Sequence, residues 1–118
     1  MELQKKGRLG EELAVKYLLG KGYQILDRNF RSGRLELDIV ASKNDTIYIF
    51  EVKSCYLQNS DSPLQRINQQ KVNHLYRAAM GYMIARGMTQ EFEVLGLSVC
   101  VDLVLKKAKV EVVTCGFY

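Results

Sequence analysis

The fold of this 118-residue chain is decided by residues 35–53, LELDIVASKNDTIYIFEVK. Two apolar runs, rich in β-branched and aromatic residues, are joined by a short polar segment, and this pattern predicts a β-hairpin. Asn44 and Asp45 suit the two central turn positions because both residue types tolerate positive φ. With that turn, Lys43 faces Thr46, and the register of the whole hairpin follows by counting outward.

Four charged side chains interrupt the apolar runs of the hairpin. The register places Asp38 opposite Glu51 and Glu36 opposite Lys53. Because side chains alternate across a strand, all four are predicted to emerge on one face of the hairpin. The other face takes its hydrophobic side chains: Leu35, Leu37, Tyr48, Phe50 and Val52.

Two carboxylates that face each other on neighbouring strands repel, and the repulsion grows where a half-buried sheet lowers the local dielectric. A divalent cation would remove this penalty, and Mg²⁺ prefers carboxylate oxygens together with water and a substrate phosphate. We therefore interpret Asp38 and Glu51 as ligands of Mg²⁺ or Mn²⁺, with Lys53 stabilising the charge that develops on a phosphate under attack. The alternative is an ordinary charge cluster at the open end of a sheet, in which Lys53 balances one acid.

Composition places the chain among globular proteins. It is 47% hydrophobic and 25% charged and has a single proline, which predicts one domain over residues 1–118. No stretch approaches the roughly 20 apolar residues of a membrane span, and the charged amino end lacks the apolar core of a secretion signal. We therefore expect a cytoplasmic protein with no membrane partner.

Cysteine and histidine usage excludes several kinds of site. Cys55, Cys100 and Cys115 are widely spaced and form no Cys-x-x-Cys motif, so neither a disulfide framework nor a zinc cluster is indicated. His74 is the only histidine, which argues against a histidine-based zinc site and against a Ser-His-Asp triad. The cysteines are expected to be reduced thiols.

Basic residues are concentrated in the first 34 positions of a chain whose formal net charge is +4. Arg28, Arg31 and Arg34 directly precede the acidic hairpin, where a phosphate backbone would pass, and they are candidate nucleic-acid contacts. Lys71 is a further candidate, although simple solvent exposure explains it as well. For any single lysine, a solvated surface position is the simpler explanation.

The other elements can be placed by hydrophobic periodicity and by stop signals. They are a helix over residues 3–19, a strand over 23–29, a helix over 62–86, and strands over 92–105 and 110–115, with a basic turn at 106–109. Ser62-Pro63 is typical of a helix start, and Gly87 of a helix end. Glu11 lies in the first helix.

Five motifs in this order resemble the YraN family of bacterial proteins: Gly7-x-x-Gly10-Glu11-x-x-Ala14-x-x-Tyr17-Leu18, Gly22-Tyr23, Arg28-Asn29-Phe30-Arg31, Glu36-Leu37-Asp38-Ile39-Val40 and Phe50-Glu51-Val52-Lys53. That family is similar to the restriction-endonuclease-like superfamily, which includes PD-(D/E)xK nucleases and Holliday junction resolvases. The resemblance implies an α/β fold, a mixed β-sheet flanked by helices.

The resemblance also implies roles for individual residues. Asp38 and Glu51 would be metal ligands, Lys53 the catalytic lysine, and Glu11 the helical acid that approaches the site in many such nucleases. Glu36 matches an acid of the family two residues before the aspartate, while its predicted position opposite Lys53 makes pairing with that lysine a competing role.

The leading hypothesis is a Mg²⁺- or Mn²⁺-dependent DNA endonuclease, selective for structures such as junctions or flaps. The alternative is a nuclease-derived module that binds nucleic acid or a protein partner without cleaving it, and a third option is a purely structural subunit. Salt-dependent DNA binding separates the second from the third, because phosphate contacts release counterions. A twofold-symmetric homodimer is expected only by analogy with related folds.

Overall fold

A computed structural model describes residues 2–59 and 69–114, which form a five-stranded sheet and two α-helices. In chain order the elements are α1 Glu2–Gly20, β1 Gln24–Ser32, β2 Leu35–Lys43, β3 Thr46–Tyr56, a single 3-10 turn at Leu57–Asn59, α2 Gln69–Ala85, β4 Phe92–Asp102 and β5 Lys107–Thr114.

The strands lie in the sheet in the order in which they occur in the chain. Neighbouring strands are antiparallel except β3 and β4, which run parallel. A parallel pair needs a crossover connection, and α2 lies in that connection. The predicted mixed sheet with flanking helices is confirmed, and the architecture is compatible with a restriction-endonuclease-like fold.

The hairpin of β2 and β3 has the predicted register. Lys43 pairs with Thr46, and the ladder continues to Ile39 opposite Phe50. Asn44 and Asp45 both adopt positive φ, 50° and 62°, as a two-residue hairpin turn of this kind requires. The next positions outward from this ladder are those of Asp38 and Glu51.

The two faces of the sheet carry separate hydrophobic cores. One core packs against α1 and contains Ala14, Leu18, Ile39, Ala41, Phe50, Tyr56, Leu97, Val99 and Val101. The other packs against α2 and contains Leu37, Val40, Ile47, Ile49, Leu75, Ala78, Ala79, Tyr82, Met83 and Val94. The sheet is therefore the middle layer between two helices, and β3 is its central strand.

The turn before β5 and the start of the second helix were both predicted from the sequence. The predicted turn at 106–109 is wrong, because the turn occupies residues 103–106 and β5 already begins at Lys107. The predicted helix start at Ser62-Pro63 lies outside the described residues, whereas the end of α2 at Ala85 agrees with the predicted stop. Neither described helix has the length and apolar character needed to cross a bilayer.

Candidate metal centre

The alternation of side chains along β2 breaks at Asp38. Leu37 belongs to the core against α2, whereas Ile39 belongs to the core against α1. In a regular strand, residues two positions apart point to the same face of the sheet. Leu37 and Ile39 point to opposite faces, so the alternation of side chains is interrupted between them. The prediction that Leu35 and Leu37 share a face with Phe50 is therefore wrong, because Leu35 also packs with the α2 core.

The neighbouring strand β1 breaks at the same level, at Asn29, which has a φ of 54°. Before the break, Arg28 reaches α1, where its Nη2 lies 2.8 Å from Glu12 Oε1. After the break, Phe30 lies on the α2 side and meets the Tyr82 ring edge to face, with centroids 5.0 Å apart. The side chains of two adjacent strands thus switch faces of the sheet at the same level. The polar side chains at the switch lie between the two hydrophobic cores.

Three acidic side chains converge at this location. Glu11, Glu36 and Asp38 each offer a carboxylate oxygen, and the three oxygens lie within 4.8 Å of one another. With its nitrogen turned toward the acids, the Asn29 side-chain amide donates to Glu11 Oε1 and to Glu36 Oε1, both at 2.9 Å. Asn29 is a site residue that the sequence analysis missed, and its only signal there was its place within a quoted motif.

Close packing of α1 on β3 positions Glu11 beside the other two acids. A Cβ at Gly10 would overlap Ser54 Oγ and lie 3.2 Å from Ser54 Cβ. Any side chain at position 10 would require Ser54 to move, so glycine favours this close approach of helix and strand. Because Glu11 is the next residue on the helix, the absence of a side chain at position 10 brings its carboxylate to the sheet.

Asp38 is the most perturbed acid of the site. Its Oδ2 accepts a hydrogen bond of 2.8 Å from the backbone N–H of Val52. Burial, followed by the nearby charge of Glu51, raises the pKa of Asp38 to about 7, and the Val52 hydrogen bond opposes that rise. A carboxylate held in this way is destabilised as an anion and gains from a nearby cation.

Glu51 lies on β3 with only 7% of its surface exposed. Its Oε1 is 3.8 Å from Lys71 Nζ and 3.9 Å from Lys53 Nζ. Burial raises the pKa of Glu51 in spite of the two lysines, which act in the opposite direction. The predicted nucleic-acid contact Lys71 thus lies beside a predicted metal ligand, brought there by the first turns of α2.

The remaining basic candidates border the site. Arg31 lies opposite Glu36 on the adjacent strand, and the closest charged atoms of the pair are 3.5 Å apart. The competing role considered for Glu36, an ion pair with Lys53, is not formed among the described residues, where Lys53 approaches Glu51 instead. Arg34 is exposed within the turn between β1 and β2.

The donor set suits a hard divalent cation. Carboxylate oxygens are the ligands that Mg²⁺ and Mn²⁺ prefer, and the oxygens of Glu11, Glu36 and Asp38 are close enough together to share one ion. The predicted ligand Glu51 lies outside this group of three, and the structure relates it to Asp38 only through the effect of its charge on the pKa of Asp38. Burial raises the pKa of Glu11 as well, so three acids of this site would gain from a cation.

Comparison with known proteins places the chain in a family. A family model described as "Uncharacterised protein family UPF0102" matches residues 10–114. The chain belongs to the UPF0102 family. This is the family named YraN above, so the predicted membership is confirmed.

Several UPF0102 proteins align over most of the chain. One from Persephonella marina is 39% identical over 95 residues, which cover 78% of this chain and 82% of the relative. Another from Alkaliphilus oremlandii is 37% identical over 108 residues, which cover 91% of this chain and 92% of the relative. A third, from Chlorobium chlorochromatii, is 38% identical over 79% of this chain and 74% of its own length.

Proposed function

We propose that this UPF0102 protein is a metal-dependent DNA endonuclease that hydrolyses phosphodiesters and selects branched or interrupted DNA. The observation that carries the proposal is the position of Asp38, a half-buried carboxylate with an oxygen within 4.8 Å of oxygens of two further acids, and close enough to the charge of Glu51 for that charge to raise its pKa. Gathering like charges in a half-buried place costs stability, and acids with perturbed pKa values cluster where chemistry is done.

Asp38 and Glu51 are the proposed ligands of Mg²⁺ or Mn²⁺, and Glu11 assists. Glu36 lies within the same group of oxygens and is available as a further ligand. A bound ion would supply Lewis-acid polarisation of the phosphate and a lower pKa for water. The acids of this chain would then orient the ion, and Asn29 would fix two of them by its hydrogen bonds.

Lys53 is the proposed catalytic lysine. Its ammonium group lies 3.9 Å from Glu51, at the end of the acid cluster, where it can donate to a phosphate oxygen as negative charge develops on it. Water adds to phosphorus and gives a proton to solvent, while the P–O bond on the opposite side breaks and the departing oxygen takes up a proton from solvent. Lys71, which also approaches Glu51, holds the same phosphate group as a second cation.

Arg28, Arg31 and Arg34 are the proposed contacts to the DNA backbone. Arg31 supports this role best, because its side chain is 74% exposed while one of its nitrogens lies 3.5 Å from Glu36. It therefore presents positive charge to solvent directly beside the acids. Cation contacts of this kind fix the register of a nucleic acid on a protein without reading its sequence.

One observation favours the alternative of a module that binds DNA without cutting it. Glu51 already has two lysines of its own chain within 4 Å. These lysines partly neutralise the acids without a metal, as they would in a site that has lost catalysis and kept its charge balance. Salt-dependent DNA binding without cleavage in any metal would be the result that supports this alternative.

The place of action and the assembly state are part of the same proposal. The three cysteines of the chain are widely spaced and form no Cys-x-x-Cys motif, which is unlike the disulfide frameworks of small secreted domains. We therefore propose the cytoplasm as the place of action. A twofold pair of copies would supply the two sites needed to cut both strands of a branched DNA.

Cleavage of labelled four-way junctions, flaps, single strands and plain duplex tests the proposal. The parent protein should cut at least one branched substrate with Mg²⁺ or Mn²⁺ and none with a chelator. Asp38→Asn should abolish cutting, whereas Asp45→Asn, an equivalent change in the exposed hairpin turn, should not. Cutting by Asp38→Asn at the parental rate would refute the proposed metal site.

The role of Lys53 has its own test. Lys53→Ala should lower the cleavage rate by roughly 100-fold or more, the cost of removing one preorganised donor to developing charge. Metal affinity, measured by calorimetry, should remain. Lys16→Ala removes an exposed lysine of α1 and serves as the control. An unchanged rate in Lys53→Ala would show that this lysine does not contact the reacting phosphate.

A further inference from the structure

The turn between β4 and β5 displays three successive large apolar side chains. Leu103, Val104 and Leu105 are 44%, 75% and 63% exposed. Turns ordinarily use glycine, proline, asparagine, aspartate or serine, which supply the required backbone geometry and face water readily. A run of apolar side chains held out in solvent is typical of a contact site for another molecule. We call residues 103–105 the apolar tip.

A polar network fixes the backbone of the apolar tip. Asp102 Oδ1 accepts hydrogen bonds of 3.0 Å from the N–H groups of Val104 and Leu105, and Gln58 Oε1 accepts one of 3.0 Å from Leu103. Gln58 Nε2 in turn donates to Asp102 Oδ1 at 2.9 Å. These bonds hold the pKa of Asp102 below its usual range. The tip is therefore pre-organised with its side chains pointing outward.

A hollow of about 290 Å³ lies beside the apolar tip. Its apolar wall comes from α1 and from the two strands that flank the tip, and two lysines stand at its margin. These residues are Leu9, Leu13, Val101, Ala108, Lys106 and Lys107, and the lining is completed by Asp102 and by Leu103 of the tip. The volume is close to the lower limit of roughly 300 Å³ for small-molecule pockets, which suits a single planar ring system.

The apolar tip lies at the same end of the sheet as the turn between β1 and β2, which carries Arg34. β2 begins at the turn between β1 and β2 and runs away from it, and the antiparallel strand β3 runs back toward the same end of the sheet. β4 is parallel to β3, so it also ends there. The turn that carries Arg34 and the apolar tip therefore share one end of the sheet. Five strand positions separate Glu51 from Tyr56, the level of Val101, or about 17 Å at roughly 3.3 Å per residue.

Charge decides between the molecules that an apolar tip could contact. Lys106 and Lys107 follow the tip directly. A second copy of the chain in a twofold contact here would bring the lysines of both copies together, which is unfavourable. DNA complements this surface, because its phosphates attract the two lysines and its flat apolar base faces can contact the tip and the hollow.

We propose that the apolar tip is a wedge that holds a base unstacked from DNA near the cleavage site. The base lies in the hollow, and Lys106 and Lys107 contact the phosphates on either side of it. This inference rests on the proposed function and specifies its substrate class. DNA with unpaired or loosely stacked bases is favoured over continuous duplex, because inserting an apolar side chain between bases costs least where stacking is already broken.

Binding measurements in chelator test the wedge separately from cleavage. The probes are a duplex with a one-base bulge that carries 2-aminopurine and the fully paired duplex of the same sequence. Affinity is read by anisotropy, and unstacking by the rise in 2-aminopurine fluorescence. The parent should prefer the bulged DNA by about tenfold or more, because unpairing and unstacking a base of the continuous duplex costs free energy that the bulge does not require, and should raise its fluorescence.

The double variant Val104→Ser/Leu105→Ser should bind both DNAs within about twofold of each other, with no fluorescence rise, as expected once the base contact is gone. Ile84→Ser is the matched control, because Ile84 is 76% exposed on α2. It should keep the preference of the parent. Thermal melting confirms that both variants are folded.

Retention of the bulge preference in the double variant would overturn the wedge, and so would a parent that does not distinguish the two DNAs. A double variant that loses self-association in sedimentation would assign the tip to a second copy. One that loses binding to phosphatidylglycerol vesicles would assign it to an anionic membrane. A parent that prefers and unstacks the bulge but never cuts in any metal would keep the wedge and reject the endonuclease.

Discussion

The metal-free protein should become more stable when Asp38 is replaced by asparagine. Burial and the charge of Glu51 raise the pKa of Asp38 from 3.8 to about 7. Each pKa unit corresponds to about 1.4 kcal/mol of differential interaction, so the charged form destabilises the fold by at most ~4 kcal/mol. Asparagine is uncharged and keeps a side-chain oxygen that can accept from the Val52 N–H.

The effect has a defined pH window. Between pH ~4 and ~7 the folded state binds a proton at Asp38 that the unfolded state has lost, so the stability of the parent falls as pH rises through this range. The Asp38→Asn variant lacks that loss. Its free energy of unfolding should exceed that of the parent by about 2–4 kcal/mol at pH 8 and should match it near pH 4.

Urea denaturation in chelator at pH 4 and pH 8 measures this difference. Asp45→Asn is the control, since Asp45 is exposed and its positive φ suits asparagine. Saturating Mg²⁺ at pH 8 should stabilise the parent and leave Asp38→Asn nearly unchanged, because only a ligand that binds the folded state shifts its stability. Equal urea midpoints for the parent and Asp38→Asn in chelator at pH 8 would refute the argument.

Three further perturbations test separate parts of the structure. The affinity for Mg²⁺ should be roughly tenfold lower at pH 6 than at pH 8 by calorimetry, because Asp38 must lose its proton to bind a cation; equal affinities would exclude Asp38 as the titrating ligand. Gly10→Ala should lower the free energy of unfolding by about 1–3 kcal/mol, and by less in a Ser54→Ala background, since Ser54 Oγ is the nearest obstacle; additive changes would place the strain elsewhere. Tyr82→Phe removes the 2.7 Å hydrogen bond from its hydroxyl to Asp27 Oδ2 and should cost about 1 kcal/mol, measured by thermal melting; no loss would mean that water replaces the bond.

Local signals were sufficient for much of the sheet. Asn44 and Asp45 determine the hairpin turn, and the register from Lys43 to Ile39 follows from it by counting. The apolar runs on either side of the turn could only be buried as central strands. Glycines just beyond each helix indicated where α1 and α2 end. These features depend on neighbours in the sequence, which is why they were predictable.

The reversal of sides at Asn29 and Asp38 could not be predicted. A hydrophobic pattern assumes that a strand keeps its faces, and it therefore placed Leu37 in the wrong core. The position of Glu11 depends equally on long-range packing, because Gly10 matters only where α1 meets Ser54. The acids of the hairpin were visible in the sequence because they interrupt apolar runs, whereas the contributions of Glu11 and Asn29 depend on contacts between elements.

The last turn shows the same limit in another form. Leu103, Val104 and Leu105 continue the apolar pattern of β4, so periodicity extended that strand too far. The strand ends at Asp102 because its carboxylate accepts from two N–H groups of the turn. A side chain that caps a turn two and three residues ahead is common for aspartate. These hydrogen bonds can end a strand inside an apolar run only where the backbone is free to turn, which the local sequence does not show.

The parallel pairing of β3 with β4 determines when the site can form during synthesis. Glu51 is carried by β3, and the whole length of that strand from Ile47 to Tyr56 is paired with β4, which begins only at Phe92. A ribosome that has released fewer residues than this exposes a chain that contains Glu11, Asp38 and Glu51 without the partner strand of β3. Truncated products that end before β4 would therefore carry every acid of the site but would leave β3, the strand of Glu51, without one of its two partner strands.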